Sequence, residues 1–310
     1  MKVDPRSGIP AGFDWTALLS HLESIQPFIY VHNVGNAGDA LIFKGMSALF
    51  RRHGLVYEAK FDGRIPPGSR IVFSGGGNFV PGYSTCRYLI ERNWDRFESF
   101  TLLPHTVDGN EDLLARMDRR FTLFCRDSTS HAHCLRQASG GASVRLSHDL
   151  AFALGPSDLR TAESRWLYPG VGPERQWRWW RKMRKVARYV DAGGTEFFRT
   201  DKERSSAGGD EAGIDISLLL SAVQRKAAQP LAIADTLLSF LARVEAIRTD
   251  RLHVAIAGAL LGKPTTLYPG SYFKNRAVFE HSMRSRFSKV TFREHGHAQG
   301  PFANQEGSTG

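Results

Sequence analysis

Short apolar runs that break off into glycine-rich or charged turns constrain this chain more than any other feature. Phe28–Val31 runs into Asn33–Asp39, Arg70–Phe73 into Ser74–Asn78, Phe121–Cys125 into Arg126–Ser130, and Ser143–Leu146 into Ser147–Asp149, with a further run at Thr101–Leu103. Runs this short, bounded by turn residues, read as buried strands rather than helices. Between them, Ala40–Phe50 carries apolar residues at helical spacing, and Arg126–Ser130 reads as a loop capping a helix through Leu135. Strand, loop and helix in alternation predict an α/β fold on a doubly wound parallel sheet, which presents ligand-binding groups at the carboxyl ends of its strands.

At 310 residues the chain exceeds what one core usually serves, so two domains are expected. The proline- and glycine-bearing stretch from Gly155 to Pro173 is the candidate hinge. It divides the chain into a doubly wound domain at 1–160, a second at 161–296 and a disordered tail at 297–310. In the second half the pattern predicts a basic helix over 175–190, a strand at Thr195–Phe198, a loop at Ser205–Gly213 and a helix from Asp235 to Ile247. A helix opened by Thr249–His253, a strand at Pro264–Tyr268 and a last helix from Asn275 to Met283 follow.

Hydrophobic residues make up 42%, an ordinary share, and no apolar run approaches the ~18 residues of a membrane span. Met1–Arg6 lacks the apolar core of a signal peptide, and Cys86, Cys125 and Cys134 include no Cys-x-x-Cys pair; both features point to a cytoplasmic protein. The formal net charge of +10 implies an acidic partner. That charge is densest in 175–190, where Trp179, Trp180, Met183, Val186, Ala187 and Val190 recur at helical spacing and Arg178, Arg181, Lys182, Arg184, Lys185 and Arg188 fill the other face. Such a helix suits an anionic membrane surface, although a stripe packed on the core with a solvated basic face has the same pattern. No zinc-finger, homeodomain or RNA-binding motif accompanies it, so nucleic acid is not an expected partner.

Three groups able to hold an anion or carry a proton, Arg251, His253 and Lys274, flank the start of the apolar helix at Val254–Leu261, whose free N–H groups favour negative charge. Thr249 and Asp250 could instead merely cap that helix, with Arg251 paired to Asp250. Asn36–Asp39 joins a strand to a helix, and Asp39 is either a cap or a base aimed into a cleft. Gly75-Gly76-Gly77-Asn78 costs backbone entropy and marks a loop whose N–H groups face a ligand, or a plain tight turn. Arg126 sets a guanidinium at a strand's carboxyl edge, where it suits phosphate or carboxylate unless Asp127 or Asp149 takes it. His148–Asp149 repeats that placement. Cys125, His131, His133 and Cys134 lack the paired spacing of a zinc site, so no metal is expected.

No Ser-His-Asp elbow, P-loop or His-Glu-x-x-His occurs. In order, the dispersed motifs are Asn36-x-Gly38-Asp39, Gly75-Gly76-Gly77-Asn78, Cys125-Arg126-Asp127-Ser128, Ser147-His148-Asp149-Leu150-Ala151-Phe152, Phe198-Arg199-Thr200-Asp201 and Thr249-Asp250-Arg251-Leu252-His253. With a looser tyrosine-to-lysine pair, Tyr268 and Lys274, this order resembles the polysaccharide pyruvyl transferase family from residue 28 to 285. The resemblance implies two Rossmann-like doubly wound domains in a GT-B-like arrangement. It also implies transfer of the pyruvyl group of phosphoenolpyruvate onto a sugar of an exopolysaccharide, a cell-surface glycan or its lipid-linked precursor. The product is a cyclic ketal, phosphate is released and no cofactor is needed.

Carried over, Arg126, His253 and Lys274 match the family's donor-site arginine, histidine and lysine. Arg251, Gly76, Gly77 and Asn78 complete the expected phosphoenolpyruvate site, and His32, Asn33, Asn36 and Asp39 the acceptor side. His253 is the expected acid and Asp39 or Asp149 the expected base, in a cytoplasmic enzyme at the inner membrane face. Tyr30-Val-His-Asn33 stands where the family often has an aromatic pair. The same loops and cations also suit a GT-B glycosyltransferase using a nucleotide sugar, and the basic surface suits a non-catalytic membrane- or glycan-binding protein.

Overall fold

The computed structural model describes residues 12–62, 64–160, 166–201, 203 and 213–294. Most of the expected loop at Ser205–Gly213 and the tail at 297–310 lie outside the described residues. The first half runs α1 (Thr16–Ile25), β1 (Phe28–Val31), α2 (Ala37–Arg52), β2 (Tyr57–Lys60), β3 (Ser69–Phe73), β4 (Gly76–Phe79) and α3 (Thr85–Arg92). It continues through β5 (Phe97–Val107), α4 (Glu111–Arg116), β6 (Phe121–Cys125), α5 (Ser128–Gln137), β7 (Ser143–Leu146), a 3₁₀ turn at Leu150–Ala153 and α6 (Pro156–Leu159). The second half runs α7 (Pro173–Asp191), β8 (Glu196–Phe197), α8 (Ile216–Leu219), α9 (Ala228–Arg243), β9 (Ile247–Thr249) and α10 (Leu252–Leu260). β10 (Thr265–Leu267), α11 (Lys274–Val278), a π-helical turn at Phe279–Met283 and β11 (Val290–Phe292) close it.

Among the described residues every strand pairing is parallel. The first sheet has seven strands in the order β2-β1-β3-β5-β6-β7, with β4 also on β5, and the second has four in the order β11-β10-β9-β8. Two parallel α/β sheets are consistent with two Rossmann-like domains. β1, β6 and β7 keep the bounds their apolar runs predict. Two expectations fail, and one expected strand runs longer than its apolar run. The triple glycine is a loop only at its start, because Gly76–Phe79 adds to β5 as a strand. The run at Thr101–Leu103 is the middle of an eleven-residue strand, β5, which pairs with β3 and β4 and with β6. The helix expected to reach Ile247 stops at Arg243, since Val244 turns extended and Ile247 pairs with Thr265 in the second sheet.

α2 locks the two halves together. Most of its sixteen residues are buried, and they pack on α9, on α10 and on the 3₁₀ turn at Leu150–Ala153 in one continuous apolar core. The C-terminal end also returns to the first half: Phe13 stacks on Phe152, Phe152 on Phe287, and His281 stacks on His148 with ring centroids 4.6 Å apart. Gly45 is the point of closest approach, where an added Cβ would meet the Leu150 carbonyl oxygen at 1.9 Å. Backbone cannot swing aside as a side chain can. Gly45→Ala is therefore expected to lower stability by about 3 kcal/mol or more, measured as a fall in the urea midpoint with unchanged slope.

Candidate active site

Loops at the carboxyl ends of both sheets converge on a cleft of about 210 Å³. β1 delivers Asn33, Asn36 and Asp39, β4 delivers Gly77 and Asn78, and β6 delivers Arg126. The turn after β9 brings Arg251 and His253, and α11 brings Lys274. Behind the wall lies Asp149, fully buried. Its Oδ1 accepts from the Ala151 N–H at 2.9 Å; its Oδ2 accepts from Arg126 Nη1 at 2.7 Å and faces His253 Nε2 at 3.2 Å. Arg126, 1% exposed, also donates through Nε to Thr106 Oγ1 at 2.9 Å. Burial alone would raise the Asp149 carboxyl, but the His253 ring and the Arg126 guanidinium outweigh it and hold the group well below the usual carboxylate range. Removing one partner of such a pair strands a buried charge at a cost of about 3–5 kcal/mol.

Two donors near this triad have no partner among the described residues. Asn78 turns its Oδ1 to His105 Nε2 at 2.7 Å, which leaves its Nδ2 buried and unbonded among the described residues. Burial, then the charge of Arg126, pushes His105 down to about 3, so the ring that orients Asn78 is neutral. The Tyr272 hydroxyl is buried and unbonded too. A Cβ on Gly77 would fall 2.9 Å from Arg126 Nη2 and 3.6 Å from Lys274 Cδ, so only glycine lets these side chains close on the backbone there. α10 starts at Leu252 with no side-chain cap, and its first turn opens on the cleft.

The cations are not idle. Arg251 donates through Nε to Asp215 at 3.0 Å and through Nη2 to Asp201 at 2.9 Å. Arg199 pairs with Asp201 and Glu203, each at 2.8 Å, and Lys274 Nζ lies 2.7 Å from Glu203 Oε2. Each cation thus faces a carboxylate. Burial lowers Lys274 to about 8, the nearby Arg199 and Arg126 reinforcing the shift and Glu203 opposing it.

Most expected site residues meet in this one cleft, but three do not line it. His32 is buried against Phe43 with Nε2 2.7 Å from Gln224 Oε1. Gly76, at φ 143°, turns the chain behind Gly77, and Asp149 sits behind Arg126 and His253. Asp39 combines both of its expected placements: it caps α2 by accepting from the Asn36 N–H at 2.9 Å, and it faces the cleft. Asp250 accepts the Arg199 N–H at 2.8 Å, while the Arg251 guanidinium reaches Asp215 and Asp201. Cys125, His131, His133 and Cys134 do not gather into a ligand set among the described residues. Arg199 and Asp201 stood in the Phe198–Asp201 motif, whereas Glu203, Asp215, Tyr83 and His105 carried no signal in the sequence. Beyond Thr85, a second hollow lined by Lys60, Arg64, Tyr88, Arg92 and Arg96 adjoins the cleft.

A family model described as polysaccharide pyruvyl transferase matches residues 36–272. The Bacillus subtilis (strain 168) protein named "Putative pyruvyl transferase EpsO" is 26% identical over 292 residues, spanning 79% of this chain and 81% of that protein. A solved structure of a functionally uncharacterized protein from Klebsiella pneumoniae subsp. pneumoniae NTUH-K2044 superimposes with a TM-score of 0.66 at 26% identity, covering 89% of this chain and 96% of the other.

An anion that draws on Lys274 needs its ammonium protonated. Because the folded-state value is depressed to about 8, that charge is present below pH 8 and lost above it. Affinity for a small dianion, titrated by calorimetry, should fall as pH rises through 8, and Lys274→Arg should move this decline to higher pH.

Proposed function

Because the chain belongs to the polysaccharide pyruvyl transferase family, we propose that it moves the pyruvyl unit of phosphoenolpyruvate onto a sugar of an exopolysaccharide, a cell-surface glycan or a lipid-linked precursor. Phosphate is released and a cyclic ketal forms. The observation that carries this reading is the Arg126–Asp149–His253 triad, which sets a guanidinium beside an imidazole at the mouth of an uncapped helix. The donor's carboxylate and phosphate would be held by the first turn of α10, Arg126, Lys274, Asn78 Nδ2 and the backbone at Gly77. Arg251, engaged by Asp215 and Asp201, is assigned to holding the cleft wall.

With Asp149 on its Nε2 side, His253 presents Nδ1 toward Gly38, where a Cβ would fall 2.6 Å away; the missing side chain leaves room for a reacting atom. His253 gives its proton to the vinyl methylene, and C2 becomes electrophilic. A sugar hydroxyl attacks C2 while Asp39 takes its proton. Asp39 suits this role because its partners, the Asn36 N–H and Asn33 Nδ2, are amides and no ion pair breaks. The C2–O bond to phosphate then breaks, a second hydroxyl closes the ring, and its proton leaves with phosphate. Asp149, with both oxygens occupied, is a positioning residue in this scheme. Residues 1–160 and 161–296 are assigned as the two halves of a GT-B-like pair. The acceptor approaches from the first half, along Asn33, Asn36 and the hollow beyond Thr85.

Thermal unfolding with phosphoenolpyruvate, UDP-sugars and GDP-sugars tests the donor. Phosphoenolpyruvate alone should stabilise the protein, by about 2.7 kcal/mol at roughly 100 times its Kd. Asn78→Asp, which adds a negative charge to the anion site, should abolish the shift; His253→Ala should keep much of it and lose at least about a hundredfold in phosphate release. Arg126→Ala is the poorer probe, since it strands Asp149. Stabilisation by a nucleotide sugar alone would overturn the proposal in favour of a glycosyltransferase, and silence from every donor would favour a non-catalytic binding protein.

A further inference from the structure

We propose that the exposed face of α7 docks the protein on an anionic lipid surface. α7 carries seven basic and two acidic residues, a net +5 out of the whole chain's +10. Both acids sit at its ends, Glu174 on Arg178 at 2.6 Å and Asp191 on Arg243, so 175–190 holds no acid of its own. Trp179, Met183, Val186, Ala187 and Val190 are buried in the core, and this stripe fixes which way the opposite face points. On that face Arg181, Arg184, Lys185 and Arg188 are exposed.

Two indoles share it. Trp177 is 54% and Trp180 40% exposed, with the Arg181 guanidinium 4.8 Å over the first ring and Arg184 4.7 Å over the second. An exposed tryptophan beside arginines is the composition of a headgroup-level anchor. Lys182 Nζ donates to the Ser221 carbonyl at 2.9 Å and ties α7 to the segment after α8; Leu218 within α8 and Val223 beyond it are each 48% exposed. Aliphatic side chains gain nothing from a soluble polyanion but enter the acyl boundary of a bilayer, which favours lipid over nucleic acid. No described helix is long and apolar enough to cross a membrane, so the contact lies in the interfacial plane. α8 also connects this face to the cleft, since Ser217 lines the cleft and Asp215 holds Arg251. An acceptor carried on lipid would therefore be held close to the cleft, although the docking itself does not depend on the donor chemistry.

Co-sedimentation of the full chain with phosphatidylcholine vesicles, with and without phosphatidylglycerol, tests the proposal. The wild type should pellet only with phosphatidylglycerol present, less so as salt rises. Each basic residue near such a surface is worth about fivefold, so Arg181→Glu, Arg184→Glu and Arg188→Glu together should cost at least about a hundredfold. Trp177→Ser with Trp180→Ser should remove the part of the binding that survives high salt. The thermal midpoint and the donor-induced shift should be unchanged in both variants, which separates this test from the donor reading. Equal partitioning on neutral vesicles, retained binding after charge reversal, or binding of homopolymeric RNA without binding of vesicles would overturn the proposal.

Discussion

The cleft is organised around one carboxylate. Asp149 is reached only because β7 ends where it does, and the 3₁₀ turn after it supplies the Ala151 N–H that fixes one oxygen. The other oxygen lies between a guanidinium of the first half and an imidazole of the second. A buried ion pair of this kind rarely stabilises a fold more than apolar packing would. Its value here is placement. Arg126 follows a strand of the first sheet and His253 lies in the helix after a strand of the second, and both meet the same carboxylate.

That placement needs the halves to be rigid relative to each other, and α2 provides it. The helix is buried on nearly every side, with glycines where a side chain would collide: Gly45 against the Leu150 carbonyl, Gly38 against the His253 ring. Small residues in α2 therefore serve both packing and the cleft. Gly77 applies the same device across the cleft, letting Arg126, Lys274 and Tyr272 crowd one peptide.

Charge is arranged by a different rule inside and outside. Within the cleft, Arg251, Arg199 and Lys274 each meet a carboxylate, so on the proposed reading an entering anion exchanges partners instead of meeting bare positive charge. Among the described residues, the Asn78 Nδ2 of the cleft wall and the Tyr272 hydroxyl near Gly77 are buried without a partner. Half of the net positive charge sits on α7, where no acid within the helix interior offsets it.

Much of this was legible in the residue order. Strand–turn–helix periodicity specified a parallel α/β fold, because apolar runs of a few residues cannot bury themselves as helices. The glycine clusters and the residues just after each strand marked the functional edge, since a doubly wound sheet puts its strand ends there. The α7 stripe was equally plain, being a local 3.6-residue pattern, except that Trp180, counted in it by spacing, lies on the exposed face. What lay beyond reach were pairings between residues far apart in the chain. Nothing near Arg251 announced Asp215, nothing near Lys274 announced Glu203, and His105 gave no sign that it would orient Asn78. His32 looked equivalent to Asn33 by position, yet strand alternation turned one toward Phe43 and the other toward the cleft. Likewise β9 emerged from a helical pattern because Ile247 found Thr265 in the second sheet. The sequence by itself determined which elements form and which of their ends bear polar groups, because those depend on near neighbours. Only the tertiary structure decided which charges neutralise each other and which donors stay unengaged, because burial and distance between remote residues set those energies.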